Sequence, residues 1–307
     1  MARIGIVTDS TAYLPRHFKD QYQIEVVSLI VNFDGVSFPE EEICGDYDRF
    51  YDHLHRVPDL PTTSQPSIGD FLKAYERVGK RSDGIFSIHI TEGISGTVKT
   101  ALTASQMLPQ QDITVIDSWS TSIGCYMVVD AAARAIAAGI DKQDVLQIID
   151  YIVKHKSVLY VPDTLEYLRR GGRIGGAAAL LGNLLQIKPI LYFNKNKNNI
   201  IDLYEKVRTK EKGLRRILDE MKSMGPDIRI YAAYVGDETQ GRLLVDRVGA
   251  IYPAAVPELC PVGPVIGTHI GPGTVGLGFY PLNSQLARLF ARSMSGDRNG
   301  FAPAAAI

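Results

Sequence analysis

The chain has 307 residues, with 33 Lys plus Arg against 34 Asp plus Glu, a formal net charge of −1. That balance excludes a strongly electrostatic nucleic-acid binder, which carries a basic excess. Hydrophobic residues at 45% and charged residues at 22% exclude a disordered chain and supply enough apolar surface for a core without disulfide or metal staples.

Ile4–Thr8 is an apolar run ending in Asp9-Ser10-Thr11 and reads as a strand. Val26–Val31 reads as another strand, Asp46–His55 as a helix, Val57–Ser67 as turns and Phe71–Val78 as a helix. Ile85–Ile90 is a strand and Val98–Met107 a helix. Ile113–Ile116 is a strand ending in Asp117-Ser118, followed by the long Ala-rich helix Ile123–Ala138. Strands alternating with helices argue for a parallel sheet covered on both faces. Asp9 and Asp117 share a place at a strand's end. Capping the next helix is their ordinary role, and facing a ligand beyond the strands' carboxyl ends is the alternative.

The second half has a different grammar. Asp163–Arg170 reads as a short helix closed by Gly171-Gly172, and Gly175–Leu185 as a second helix. Pro189–Phe193 and Ile200–Val207 flank an exposed Asn-rich turn, Asn194–Asn199, and read as a hairpin. Lys210–Met224 is a helix stopped by Gly225-Pro226, Ile228–Val235 a strand and Gly241–Ile251 a helix. Val265–His269 and Val275–Tyr280 read as strands. The expected fold class is α/β in two domains: residues 1–160 around a parallel sheet, and 161–285 a smaller domain with a mainly antiparallel sheet. Residues 286–307 are expected to end a C-terminal helix and run into a loose tail from about Ser295.

Cys44, Cys125 and Cys260 are scattered, with no CxxC pair and no Cys/His group at zinc spacing. The expectation is a reducing, cytoplasmic setting with no metal. MARIGIVTDS lacks the apolar core of a signal peptide, and the most apolar stretch, Ile174–Ile187, is too short to span a bilayer. At most a transient membrane contact is expected. There is no GxxxxGK[ST] loop and no GxSxG elbow. His53 and His55 face different sides of a helix and read as surface or packing residues.

Four segments could carry chemistry. Thr62-Thr63-Ser64-Gln65-Pro66-Ser67 is a row of hydroxyls that can cap a helix or bind an anion. Thr91-Glu92-Gly93-Ile94-Ser95-Gly96-Thr97 follows a strand directly; it can be a structural turn or aim hydroxyls and backbone N–H groups at an anion. Leu168-Arg169-Arg170-Gly171-Gly172-Arg173 is a basic knob that can offset a helix dipole or dock acidic groups. Gly267-Thr268-His269-Ile270-Gly271-Pro272-Gly273-Thr274 crowds one His with glycines, so a ligand or another backbone can approach its ring.

In order along the chain, these segments resemble the DegV family, which includes the fatty-acid-binding subunits of bacterial fatty acid kinase. The resemblance rests on IVTDST (Ile6–Thr11), TTSQPS (Thr62–Ser67), IHITEGISGT (Ile88–Thr97) and VIDSWSTSIG (Val115–Gly124). It continues through LEYLRRGGRIG (Leu165–Gly175), IKPIL (Ile187–Leu191), KVRTKEKGL (Lys206–Leu214) and GTHIGPGTVGLGF (Gly267–Phe279). It implies a three-layer α/β/α sandwich plus a smaller α/β domain. It implies one long-chain fatty acid with a buried acyl chain and a carboxylate held at the domain cleft by Thr63, Ser95 and His269, with Ser64, Gly96, Thr97 and Thr268 as further ligand-binding residues. It further implies docking through Arg170 and Arg173 to a separate ATP-dependent kinase subunit, which would phosphorylate the fatty acid to an acyl phosphate. On this reading the chain presents a substrate; it is not itself an enzyme and has no catalytic residue, cofactor, metal or nucleic-acid partner. Two departures stand out: Thr91-Glu92 replaces a Ser-Ser pair, with Glu92 expected to point to solvent, and Trp119 replaces a smaller or cationic residue. The alternatives are a dihydroxyacetone-kinase-like subunit holding a small carbonyl substrate on His269, and a carrier of another amphiphile.

Overall fold

The computed structural model of the chain describes residues 2–33, 35–43, 47–54, 56, 60–180, 187–253 and 257–296, with side chains as far as residue 290. In chain order the first half runs β1 (Ile4–Asp9), α1 (Arg16–Tyr22), β2 (Glu25–Val27), β3 (Ile30–Phe33), β4 (Val36–Pro39) and α2 (Tyr47–Leu54). It continues through β5 (Thr62–Ser64), α3 (Ile68–Gly79), β6 (Gly84–His89), α4 (Thr97–Gln106), β7 (Ile113–Asp117), α5 (Ile123–Ala137) and α6 (Lys142–His155). The second half runs β8 (Ser157–Val161), α7 (Glu166–Arg170), β9 (Lys188–Asn194), β10 (Ile200–Val207), α8 (Lys210–Ser223) and β11 (Ile228–Tyr234). It ends with α9 (Glu238–Ile251), β12 (Glu258–Pro261), α10 (Pro264–Ile270), β13 (Val275–Pro281) and α11 (Ser284–Gly296).

The fold is α/β, built on a parallel sheet and a mixed one. The parallel sheet has the order β2-β1-β6-β7. The other has six strands in the order β10-β9-β8-β13-β11-β12, antiparallel except where β11 meets β12. A small antiparallel sheet, β4-β3-β5, was not anticipated.

Helix α5 connects the layers. Only Arg134, Ile136 and Ala137 of its residues escape full burial, as an apolar-all-round helix must when it packs on two faces. It touches β1 and β6 of the parallel sheet and β8 and β11 of the mixed sheet. A buried polar knot fixes it there. Asp130 takes the Arg134 Nε at 2.6 Å and the Tyr231 hydroxyl, with the Arg229 guanidinium at 3.6 Å.

Several sequence expectations need correcting. Val26–Val31 is not one strand. β2 joins the parallel sheet, whereas β3 leaves for the small sheet, and an unbroken apolar run cannot show that switch. Val57–Ser67 is not all turns, because β5 lies within it; His55 and residues 57–59 are outside the described residues. Val265–His269 is helix, not strand. Pro264 opens α10 and Gly271, at φ 81°, closes it, so the proline–glycine frame outweighs the β-branched pair inside. Gly175–Leu185 begins as a 3-10 turn over Gly175–Leu180, and residues 181–186 lie outside the described residues, as do Cys44, Asp46 and the tail from 297. The Asn-rich turn is exposed over Lys195–Asn198 and anchored at both ends. Asn194 and Asn199 are buried, and a Cβ on Gly93 would lie 2.4 Å from the Asn198 carbonyl.

Cys125 and Cys260 are buried free thiols. His53 packs edge-on against Phe33. Among the described residues, no helix is long and apolar enough to cross a membrane.

Candidate functional site

A cavity of about 620 Å³ lies where loops at the carboxyl ends of β6 and β7 meet β5, α10 and the mixed sheet. Ligands bind at such strand ends in open α/β sheets, and the volume is in the usual range for small-molecule sites. One side is aliphatic and aromatic. Val158 and Tyr160 of β8, Phe193 of β9, Ala233 of β11 and Val275 of β13 face it. β5, the β6 loop and α10 add the polar Thr63, Ser64, Gln65, Ser95, Gly96 and His269, alongside the aliphatic Ile94, Val265, Ile266 and Ile270.

Local sequence explains each polar contribution. The hydroxyl row divides: Thr62–Ser64 pairs with β3 as an edge strand, and Ser67 caps α3 through a reciprocal bond with Asp70. Thr63 is half-buried and Ser64 exposed. The Gly/Ser loop leads from β6 into α4. Ser95 and Thr97 share a hydrogen bond between hydroxyls at 2.8 Å. Gly96 accommodates Gln65: a Cβ there would lie 2.1 Å from the Gln65 Oε1. The Gln65 amide donates to Thr100 at 2.7 Å, pinning β5 to the start of α4.

His269 arrives in the last turn of α10. Its Nε2 lies 2.8 Å from the Thr63 Oγ1, joining residues 206 apart in sequence. Its Nδ1 is buried without a partner, against Gly171, where a Cβ would come within 2.2 Å. Burial, and to a lesser degree the Arg173 guanidinium, lowers the imidazole to about 4. The ring is therefore neutral near pH 7. With its proton on Nε2, it donates to Thr63 and leaves the Thr63 O–H for a ligand oxygen.

Thr63, Ser64, Ser95, Gly96 and His269 meet around the cavity. Thr97 and Thr268 are buried beside it and are not part of its lining. The two arginines separate. Arg173 is exposed, lies at the cavity rim and bonds the Gly171 carbonyl at 2.8 Å. Arg170 is exposed away from the cavity. Arg169 is held by Glu166 in the same helix. Glu92 is an exposed rim residue whose charge is met by Lys99 at 2.9 Å.

Asp9 caps the short 3-10 turn Ser10–Ala12 rather than α1: it accepts from the Thr11 N–H at 3.0 Å and from the Ile90 N–H at 2.8 Å. Asp117 does not cap α5. It accepts from Trp119 and Glu92 N–H groups and ties the β7 loop to the β6 loop. The sequence reading overlooked Gln65 and Lys99 at the rim. It also overlooked a sealed chain, Tyr75–Ser87–His89–Asp9, in which Ser87 meets His89 at 2.6 Å and His89 meets Asp9 at 3.1 Å. Strand alternation puts Ser87 and His89 on one face, but neither lines the cavity. Among the described residues, no group of three or more His, Cys, Asp or Glu side chains could hold a metal.

The comparisons with known proteins agree with this architecture. The family model described as "Uncharacterised protein, DegV family" matches residues 3–282. The chain is 36% identical over 278 residues to Protein DegV of Bacillus subtilis, covering 89% of this chain and 98% of that one. The crystal structure of DegV from Bacillus subtilis, described as a fatty acid binding protein, superposes with a TM-score of 0.83 at 35% identity, covering 92% of this chain and 100% of that one. A DegV family protein from Thermus thermophilus, described for its fatty acid binding, gives 0.81 at 32% identity, covering 91% and 100%. With a family match across nearly its whole length, the chain belongs to the DegV family.

Proposed function

We propose that this protein binds one long-chain fatty acid and presents it to a separate ATP-dependent kinase subunit. The acyl chain fills the cavity, and the carboxylate rests at the corner formed by Thr63, Ser95 and His269. The observation that carries this reading is the division of one 620 Å³ cavity into an apolar side and a side of hydroxyls with a neutral imidazole. Sequestering about fourteen methylenes at roughly 0.8 kcal/mol each supplies on the order of 10 kcal/mol before ordering costs. A carboxylate in a dry site needs several donors, and two hydroxyls, one of them backed by an imidazole, provide them. The relatives described as fatty acid binding proteins support the same ligand class.

The chain has no phosphate-binding loop motif, so the kinase brings the nucleotide. A carboxylate oxygen attacks the γ-phosphorus, ADP leaves, and an acyl phosphate remains on this protein. Arg170 and Arg173 form the docking surface, with Arg173 close enough to the rim to meet the transferred phosphoryl group. A small carbonyl held on His269 is the weaker reading, because Nε2 is engaged by Thr63 and the apolar side exceeds what a small ketone needs.

Displacement of a fluorescent fatty acid tests binding, and ATP-dependent acyl phosphate formation with a fatty acid kinase subunit tests presentation. Stoichiometric displacement and turnover are expected. Binding without turnover would remove the kinase step, and no binding would remove the ligand class.

A further inference from the structure

Glu40 lies outside the cavity lining, yet it is 1% exposed and fully engaged. It accepts from the Ser10 hydroxyl at 2.6 Å, the Tyr13 hydroxyl at 3.0 Å and the Val265 N–H at 2.7 Å. Val265 is in the first turn of α10. The next N–H, of Ile266, donates to the Tyr13 hydroxyl at 3.1 Å. From α2, the Tyr51 hydroxyl donates to the Val262 carbonyl at 2.6 Å. Two glycines let these groups close on the helix. A Cβ on Gly263 would lie 2.5 Å from the Tyr13 ring, and one on Gly267 would lie 2.1 Å from the Tyr51 hydroxyl.

Helix α10 gives Val265, Ile266, His269 and Ile270 to the cavity. Val265 and His269 are one turn apart, about 6 Å along the axis. Fixing the first turn of so short a helix therefore fixes the imidazole. We propose that Glu40 is a positioning residue for the head-group corner: its ionised carboxylate anchors the first turn of α10 and so sets the His269–Thr63 pair. This inference rests on the fatty-acid reading of the cavity and adds a residue to it.

Among the described residues, no cation within the cluster offsets the charge. The 3-10 turn after β1 brings Asp9, Ser10 and Tyr13, and α2 brings Tyr47 and Tyr51. Helix α1 brings Lys19, already paired with the neighbouring Glu41 at 2.6 Å. The first turn of α10, Pro264-Val265-Ile266, has no titratable side chain. Burial pushes the Glu40 carboxyl up to about 7; Asp9 adds in the same direction, and the three donors oppose it. Near neutrality the group therefore changes from an acceptor of three charge-assisted bonds to an acid that must place its own proton.

The test measures affinity for a monomeric fluorescent fatty acid between about pH 6 and pH 8 in wild type, Glu40→Gln and Ser10→Ala. Glu40→Gln keeps the shape and one acceptor and cannot titrate. Wild-type affinity is expected to fall by at least about fivefold toward the acid end, a modest coupling, while Glu40→Gln stays flat. Ser10→Ala removes a bond to the ionised form and moves the step to higher pH. The His269 ring resonance of the ligand-free protein should follow the same step in wild type and Ser10→Ala and be absent from Glu40→Gln. Superimposable profiles for wild type and Glu40→Gln would overturn the proposal. Tighter binding at acid pH would also overturn it, because it would mean direct repulsion between Glu40 and the ligand. Should Glu40→Gln fail to fold, an unshifted step in Ser10→Ala overturns it. If none of the proteins binds at any pH, the fatty-acid reading fails, and the His269 resonance alone decides the role of Glu40.

Discussion

The two sides of the cavity face the same space with different chemistry. The mixed sheet offers Val158, Tyr160, Phe193, Ala233 and Val275, whose contribution is area removed from water. The loops of the parallel sheet, with β5 and α10, offer Thr63, Ser95 and His269, whose contribution is direction. The apolar side comes from regular strands, where alternation alone puts every second residue on one face. The polar side is assembled from three separate elements by tertiary contacts. The apolar side should therefore set how tightly a ligand is held, and the polar side which end of it is held where.

The largest effect should come from the apolar side. Ala233→Phe puts a ring into the space an acyl chain would use, without disturbing the surface. Displacing about four methylenes at about 0.8 kcal/mol each costs about 3 kcal/mol, roughly a hundredfold in affinity. Equilibrium displacement of a fluorescent fatty acid reads this directly, and an unchanged affinity would place the acyl chain elsewhere.

The polar side should give the next effect. His269→Ala is expected to weaken binding by about 0.5–1.5 kcal/mol, the net worth of the neutral hydrogen bond that orients Thr63. Because the imidazole works through Thr63, adding His269→Ala to Thr63→Val should cost little more than Thr63→Val alone. Additive losses would instead mean that His269 meets the ligand independently.

The same residue gives a stability prediction. An imidazole lowered to about 4 by burial and by Arg173 binds a proton less readily folded than unfolded. Its contribution is present above the unfolded value of about 6.5 and is lost as pH falls toward 4, up to roughly 3 kcal/mol. Urea unfolding between these limits should show the wild type losing stability relative to His269→Gln as pH falls. Glu40 has the opposite sign. Raised to about 7, it favours the fold below its unfolded value, and that contribution is lost as pH rises through 7. Glu40→Gln should therefore gain on wild type as pH rises through this window.

The smallest effect belongs to Arg173→Ala. The side chain is exposed, so its direct contribution is at most about 1 kcal/mol. Lipid content should stay near wild type, while acyl phosphate formation with the kinase subunit falls. Loss of lipid would give Arg173 a head-group role instead.

The contrast between the two sides also explains what the sequence revealed. The strands β1, β6 and β7 were legible as apolar runs ending in polar residues, and α5 as a long Ala-rich helix, because local patterning determines them. The hydroxyl row, the Gly/Ser loop and the glycine-crowded His stood out as motifs, although nothing local joins Thr63 to a ring 206 residues away. Helix α10 was misread because Val265 and Ile266 suit a strand and two turns offer little periodicity. Glu40 opens the run Glu40-Glu41-Glu42, which reads as solvated surface. Its burial comes from tertiary packing, with Ser10, Tyr13 and the first turn of α10 closing on its carboxylate. The course of the chain between β2 and β3 was hidden for a similar reason, since both strands are apolar and only their partners differ.

Denaturing extraction and mass spectrometry of lipid from freshly purified wild type and Ala233→Phe will show what the cavity holds. About one equivalent of long-chain fatty acid per wild-type chain is expected, with a large loss from the variant. A wild-type protein that carries none and takes up none when it is offered would contradict the account, as would one carrying a small carbonyl adduct on His269.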